Sequence, residues 1–158
     1  METLKLDKQR AKSLFPGASK LEQEILISTF GKEFFSGKIT NRIKTFEDAF
    51  TEADEDVRQE YLKSTQGYNT PDEIAYKKLK LIISVINEDV ILDWRNTNQQ
   101  KWYPYFVWSS GSGFDYSYSG YVSPFALTCV GLRLCTSTKE KCAYVATQFI
   151  DLYNDLLN

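Results

Sequence analysis

The sequence contains no histidine. Histidine is the most frequent general base in enzymes, the usual partner of a nucleophilic serine or cysteine, and the commonest metal ligand in proteins. Its absence therefore excludes the ordinary His-dependent hydrolases and the His-ligated metal sites. Because the sequence also shows no motif of Ser–Lys or carboxylate catalysis, we expect no catalytic residue, no cofactor and no metal.

Cysteine is scarce as well, and the three cysteines are Cys129, Cys135 and Cys142. Structural zinc sites need more ligands than this, usually including a closely spaced pair. The first residues are charged and carry no apolar leader, and an odd number of cysteines favours reduced thiols over a disulfide framework. We therefore expect buried thiols in a cytoplasmic protein, either of a bacterium or of a host cell that a phage occupies.

Long apolar runs and an excess of basic residues are also missing. No run approaches the roughly 20 residues that span a bilayer, so we expect no membrane segment. The net charge is −2, which provides no general attraction to nucleic acid or anionic lipid. The stretch Gly111-Ser112-Gly113 is not followed by the Gly-Lys-Ser/Thr of a phosphate loop, so it predicts a turn between two strands.

Aromatic residues are abundant instead. Ten Tyr, ten Phe and three Trp make up 15% of the 158 residues, and many of them lie between Trp94 and Phe125. The length and the mixed composition predict a single domain over residues 1–158. Because the chain changes character near Gly67, we divide that domain into a helical part, residues 1–66, and a helix–sheet–helix part, residues 67–158.

The helical part carries two capping signals. Ser19 followed by Glu22, and Thr45 followed by Asp48, both have the spacing of a capping box, and apolar residues then recur at helical intervals. Further helices are predicted over residues 6–15 and 56–63.

The second part opens with the strongest helix signal of the chain. Thr70 is a suitable N-cap, Pro71 occupies the first helical position and Glu73 the third. The apolar side chains that follow fill an arc of about 200°, which indicates a helix covered on more than one side. They are Ile74, Ala75, Leu79, Ile82, Val85 and Ile86.

Residues 90–135 alternate with period two, which predicts strands. Pro104 confines one of them to a sheet edge or a bulge. The predicted strands cover residues 90–94, 101–108, 113–119 and 126–135, and residues 138–157 predict an amphipathic helix. The fold class that follows is α+β: a helical N-terminal part, a helix, a three- or four-stranded antiparallel aromatic-rich meander, and a C-terminal helix packed on the sheet.

Aromatic rows on the predicted strands form the candidate binding site. On the first strand the Trp and Phe rings share one face and the Tyr rings share the other. On the second strand Phe114, Tyr116 and Tyr118 share a face, with polar residues opposite. The candidate binding residues are Trp102, Tyr103, Tyr105, Phe106, Trp108, Phe114, Tyr116 and Tyr118.

Two arrangements of these rows are open. If helices cover only one face of the sheet, the other face is free to stack on bases, nucleotides or sugar rings, or to anchor a protein interface. In the alternative, the N-terminal helices fold over that face and bury it as a second core layer. Those helices carry the apolar residues that this would need: Phe34, Phe35, Ile39 and Phe46.

The second half of the chain also shows a set of recurrent short motifs. A helix leads into Asp93-Trp94, and KWYPYF at residues 101–106, Gly113-Phe114, VGLRLC at residues 130–135 and a Tyr- and Phe-bearing C-terminal helix follow. In these features residues 70–158 resemble a group of short proteins from gut bacteria and from the phages and prophages that infect them. The first part is similar to them more loosely. The resemblance implies a phage or mobile-element origin, and that group has no known activity to carry over.

The sequence leaves two functional hypotheses. The first is a non-enzymatic, phage-derived protein-interaction module of the bacterial cytoplasm, whose partner is another protein or a second copy of the chain. The second is a module that binds a nucleotide or a single-stranded nucleic acid by stacking on the aromatic sheet. The element order differs from that of an RNA-recognition fold, so the second hypothesis rests on composition alone. The acidic net charge favours the first.

Overall fold

The structure is a computed structural model, and it describes residues 8–88, 90–123 and 132–158. Its contacts divide the chain into two compact units, Met1–Arg42 and Ile43–Asn158. The division falls well before Gly67, where the composition changes. The folding of the whole chain as one domain stays a prediction.

The first unit consists of short helices around a small aromatic core. Helix α2 begins at a capping box, in which Ser19 N–H donates to the Glu22 carboxylate at 2.7 Å and Glu22 N–H donates to Ser19 Oγ at 3.4 Å. The buried residues Ala11, Leu26 and Phe34 form the core. The elements are α1 (Lys8–Leu14), a 3-10 turn (Phe15–Gly17), α2 (Lys20–Phe30), α3 (Lys32–Ser36) and α4 (Ile39–Arg42).

The helices at the start of the second unit are α5 (Phe46–Glu52), α6 (Glu55–Ser64) and α7 (Pro71–Asn87). The predicted caps are present, since Asp48 accepts from Thr45 N–H at 2.9 Å and Glu73 accepts from Thr70 N–H at 2.9 Å. Helices α5 and α6 pack against α7. As the wide apolar arc predicted, α7 buries much of its circumference: Ala75, Leu79, Leu81, Ile82, Ile83, Ile86 and Asn87.

The sheet of the second unit is an antiparallel hairpin of β1 (Lys101–Ser109) and β2 (Gly113–Val122). Helices α8 (Lys139–Gln148) and α9 (Ile150–Leu157) follow. Helix α8 packs on both strands, whereas α9 packs on β2 and on α7. The mixed helix-and-strand class and the packing of the C-terminal helical segment on the sheet are therefore confirmed.

The three- or four-stranded meander is not confirmed, because the sheet of the described residues has two strands. The segment 90–94, predicted as a strand, is irregular. Its backbone bonds to one side chain instead of a neighbouring strand: Asp93 N–H donates to Gln99 Oε1 at 2.8 Å, and Gln99 Nε2 donates to the Ile91 carbonyl at 2.9 Å.

The strand predicted over residues 126–135 is also not confirmed. Residues 126–131 lie outside the described residues, and Leu132–Leu134 form a 3-10 turn. One strand-like contact follows, where Thr136 and Trp102 exchange backbone hydrogen bonds at 2.8 and 2.9 Å. This segment is fastened to the end of α7 by Asn87, whose amide bonds the Cys135 carbonyl at 3.0 Å and Ser137 N–H at 2.8 Å.

The C-terminal helix, predicted as one element, is divided at Phe149. This residue has φ −117° and ψ 35°, outside the helical range, and it separates α8 from α9. The spacing of apolar residues continues unchanged across the break, through Val145, Phe149 and Tyr153, which are all buried. Side-chain periodicity therefore cannot reveal the division.

A buried lysine joins the base of the hairpin to the segment before it. Lys101 is fully buried, and its ammonium group donates to the carbonyls of Asn96 and Gln99 at 2.8 Å and of Ser123 at 3.4 Å. The ammonium also lies 5.4 Å from the centre of the Trp94 ring. The charge is thus compensated by backbone dipoles and by an aromatic face.

Candidate interaction surface on the aromatic hairpin

The faces of the hairpin are set by a bulge in β2. From the open end, Tyr105 pairs with Tyr118, but the next residue of β1, Phe106, pairs with Tyr116. Ser117 is therefore an extra residue on β2. One extra residue moves the side chains beyond it to the other face, because strand side chains alternate with period two.

The prediction that Phe114, Tyr116 and Tyr118 share one face is consequently wrong for Tyr118. Tyr118 stacks on Tyr105 on one face of the sheet, whereas Tyr116 and Phe106 contact each other on the opposite face. We call the first side the tyrosine face, which near the hairpin turn consists of Tyr105, Val107, Asp115 and Tyr118. We call the other side the tryptophan face, which consists of Trp102, Phe106, Trp108, Phe114, Tyr116 and Tyr121.

The tyrosine face changes from buried to exposed along its length. At the open end Tyr103 is only 6% exposed and packs with Leu92, Val122 and Cys135. Its hydroxyl shares a hydrogen bond of 2.9 Å with the Tyr105 hydroxyl. This bond, together with burial, raises the pKa of Tyr103 to about 12. Tyr103 was predicted as a binding residue, and the structure places it in the core.

Nearer the turn, two tyrosine rings are stacked and open to solvent. The rings of Tyr105 and Tyr118 lie 4.4 Å apart at an angle of 18°, with 37% and 54% of each residue exposed. Gly120 makes room for this stack, since a Cβ atom there would lie 2.7 Å from Cε2 of Tyr105. Val107 is exposed beside the two rings. The stack of the two rings is thus held by contacts within the hairpin.

The tryptophan face is covered in its middle by the C-terminal helices. The rings of Phe106 and Tyr153 lie 4.6 Å apart, and Tyr153 is buried in α9. Trp108 remains 59% exposed at the turn, where it meets Phe114 edge-on at 5.2 Å. The exposed aromatic surface therefore continues around the tip of the hairpin from one face to the other.

Both edges of the hairpin are occupied by groups of the same chain. On the outer edge of β1, Trp102 pairs with Thr136, and the next position on that edge is Pro104, which has no N–H. On β2, the amide of Asn154 accepts from Phe114 N–H at 2.6 Å and donates to the Phe114 carbonyl at 3.1 Å. Addition of a strand at these positions is hindered.

The charge around the exposed rings is acidic. Between Lys101 and Arg133 the sequence has no basic residue, and Asp115 is its one charged residue there. The ammonium of Lys101 is buried at the far end of the hairpin. Helix α9, to which Phe114 is bonded, carries Asp151 and Asp155 at exposed positions close to Asn154. The hairpin beyond Lys101 therefore supplies no cation of its own beside these rings.

The phenylalanines of the helices that were predicted as a cover for the sheet have ring partners of their own. Phe34 and Phe35 stack with Phe15 and Phe30 within the first unit. Phe46 packs with the aromatic residues Phe50 and Tyr61, on helices that contact α7. Phe34, Phe35 and Phe46 thus have ring partners on neighbouring elements of their own unit.

Two clefts of the second unit are lined by charged side chains. One cleft of about 230 Å³ between α6 and α7 contains the ion pair Lys80–Glu60 at 2.5 Å, and another of about 290 Å³ includes Arg133 above Ile83 and Leu92. The groups whose pKa burial raises most, Tyr153 and Cys135, line neither cleft. Within the described ranges, His, Cys, Asp and Glu side chains form no group that could hold a metal ion.

Several contributors to the surface were missed by the sequence reasoning. Val107 lies in a predicted strand but is not among the candidate binding residues. Asp115 is one of the polar residues that alternate with the aromatic row on the second strand. Asn154 and Gly120 gave no signal in the sequence, because their roles depend on the approach of α9 to β2 and of one ring to the opposite strand. The bulge at Ser117 likewise follows from strand pairing alone.

The chain was compared with known proteins. No family model, no curated protein and no solved structure matches it. As for the membrane, none of the helices within the described ranges has the length and apolar character needed to cross a bilayer.

Proposed function

We propose that this protein is a binding module that recognises another protein through the exposed rings at the tip of its aromatic hairpin. The observation that carries the proposal is the preformed stack of Tyr105 on Tyr118, exposed beside Val107 and continued around the tip by Trp108. Tyr and Trp side chains are the residues most enriched at the energetic centres of protein interfaces. They contribute a large contact area for little loss of conformational freedom.

Contacts that order the tip of the hairpin also support protein recognition. Asn154 holds the backbone of Phe114, the Tyr103 hydroxyl holds Tyr105, and Gly120 makes room for that ring. A surface that is already ordered loses less entropy on binding than a mobile loop does. These contacts contribute rigidity to a segment whose rings are exposed.

Stacking on bases or nucleotides is the competing function, and the charge distribution disfavours it. Proteins that bind single strands combine stacking rings with a positively charged groove that follows the phosphates. Here the rings are next to Asp115, and no basic residue lies between Lys101 and Arg133. Protein recognition needs no such groove, so it remains the better explanation of the exposed rings.

The setting proposed for this function is the bacterial cytoplasm, in a protein of phage or mobile-element origin. This part of the proposal rests on the resemblance of residues 70–158 to short bacterial and phage proteins, and on the two buried cysteines Cys135 and Cys142. A partner is then expected among the proteins of the host cell or of the phage itself.

Site-specific photo-crosslinking tests the proposal. A benzoylphenylalanine is placed at Tyr118 or at Trp108 in the full chain, and the matched control carries it at Tyr68, which is 91% exposed and lies outside the hairpin. We expect a discrete protein adduct from both hairpin positions and none from the control. Equal adducts from all three positions, or adducts removed by nuclease, would contradict protein recognition by the hairpin.

A further inference from the structure

We infer that the tyrosine face receives an arginine side chain of the partner, with the guanidinium lying on the open side of the Tyr118 ring and its N–H groups directed at the Asp115 carboxylate. This inference rests on the proposed function and names the chemistry of the group that the surface binds. It concerns one small site, formed by Tyr105, Val107, Asp115 and Tyr118.

The geometry supplies the two elements of such a site. Asp115 pairs directly with Val107 across the strands, which puts the carboxylate on the same face as the tyrosine stack. Tyr105 and Asp115 lie on the same face, in strand pairs on either side of the bulge at Ser117. One side of the Tyr118 ring is taken by Tyr105, and the exposure of the residue leaves the other side available.

The carboxylate has capacity for a further donor. Ser112 Oγ donates to Asp115 Oδ2 at 3.1 Å. A carboxylate accepts several hydrogen bonds, so the remaining acceptor positions suit the paired N–H groups of a guanidinium. The Ser112 contact also holds the carboxylate close to the turn, where it is next to the exposed rings.

Charge decides which residue fits. The face of an aromatic ring attracts a cation through its quadrupole. Asp115 adds a negative charge beside the rings, and the sequence between Lys101 and Arg133 contains no cation that would compete for it. Arginine suits the site better than lysine because its planar guanidinium can stack on the ring and meet the carboxylate with two N–H groups at once. A second copy of this chain that docked tyrosine face to tyrosine face would bring the two Asp115 carboxylates together, which disfavours that pairing.

The experiment titrates the full-length protein with a short acetylated, amidated peptide of alternating glycine and arginine, and follows backbone amide and ring proton shifts by NMR. The matched probes replace arginine by lysine or by citrulline, which keeps the shape of arginine and removes its charge. The matched variants are Tyr118→Leu and Asp115→Asn, with Tyr121→Leu as the control, because Tyr121 is an exposed tyrosine of the other face. Fold is monitored in every variant by the dispersion of the amide spectrum.

The inference predicts saturable shifts at Tyr118 and Asp115 with the arginine peptide, weaker binding of the lysine peptide and none of the citrulline peptide. Loss of an exposed cation–π contact corresponds to about a two- to fivefold weakening, so Tyr118→Leu should lower affinity by at least that factor while Tyr121→Leu leaves it unchanged. Asp115→Asn should also weaken binding, because it removes the charge that the guanidinium pairs with. Citrulline binding as well as arginine, or wild-type affinity in Asp115→Asn, would overturn it. If no arginine peptide binds while the crosslinks at Tyr118 and Trp108 persist, the arginine site is wrong and protein recognition by the hairpin stands.

Discussion

Asn154 bonds both backbone groups of Phe114 through one side-chain amide, at 2.6 Å to the N–H and 3.1 Å to the carbonyl. The amide occupies the place that a neighbouring strand would take, and it fixes the tip of the hairpin to α9. Gly113 belongs to the same contact, because a Cβ atom there would lie 2.4 Å from Asn154 Oδ1. The candidate surface therefore depends on a helix that contributes none of the exposed rings.

Removing the amide should loosen the tip. We expect Asn154→Ala to lower the free energy of unfolding by about 1–3 kcal/mol, because a half-buried N–H and carbonyl lose their partner. Hydrogen exchange of the Phe114 amide, near the tip of the hairpin, should accelerate more than that of Lys101, at its open end.

Gly113→Ala provides a control in the form of a double-mutant cycle with Asn154→Ala. It should cost more in the wild-type background, where it meets Asn154, than in Asn154→Ala, where only the strain of φ +84° remains. Equal costs in both backgrounds would show that the two residues do not interact.

Gly120 provides a test of the tyrosine stack. Gly120→Ala places a methyl group 2.7 Å from Tyr105 Cε2, which forces the ring away from its seat. Overpacking of this kind costs about 1–3 kcal/mol, and denaturant unfolding measures it. Gly17→Ala is a suitable control, because nothing lies within 4 Å of its added Cβ. An unchanged stability in Gly120→Ala would mean that the ring has another position of equal energy.

Lys101 should be needed for its hydrogen bonds. Replacement by Met keeps the approximate length of the side chain but leaves the carbonyls of Asn96 and Gln99 without their donor. We expect a loss of about 1–3 kcal/mol, with altered Trp94 fluorescence, because the two carbonyls lose the charged donor that the buried Lys101 side chain supplies. Lys139→Met, at an exposed position, should have little effect. A loss no larger than that of Lys139→Met would show that water replaces the ammonium at no cost.

The thiols of Cys135 and Cys142 should react slowly in the folded protein. Burial raises the pKa of Cys135 to about 12 and also raises the pKa of Cys142, so little thiolate is present at neutral pH. In a Cys129→Ser variant, which removes the cysteine outside the described residues, a thiol reagent should label both slowly in buffer and rapidly in denaturant. Equally rapid labelling under both conditions would contradict their burial.

Tyr103 should make stability sensitive to alkaline pH. Its pKa is raised from 10.0 to about 12, so the folded state favours the neutral phenol. The corresponding stabilisation is fully present below about pH 10 and is lost as the pH rises towards 12. Between these values the free energy of unfolding should fall more steeply in the wild type than in Tyr103→Phe. Because Tyr153 is present in both proteins, the difference reports Tyr103 together with its hydrogen bond to Tyr105, and parallel curves would contradict the shift.

Local signals in the sequence predicted the helices well. The capping boxes at Ser19 and Thr45 depend on a residue three positions further along the chain, and the structure confirms both. The same holds for the start of α7 at Thr70, where Glu73 accepts the N-cap N–H. The Gly-Ser-Gly stretch also forms the predicted turn between β1 and β2. In each case the deciding interaction lies within a few residues, so the sequence alone contains it.

What the sequence by itself determined is therefore the set of local elements and the aromatic composition of the hairpin. The tertiary structure decided which rings are exposed. The extra residue at Ser117 places Tyr118 and Tyr116 on opposite faces of the sheet. The packing of Tyr103 on Val122 and Cys135 removes one predicted ring from the surface. Alternation along a strand gives the relative side of each residue only where the pairing is regular. The pairing partner and the neighbouring helix, which are distant in sequence, determine the register and the burial.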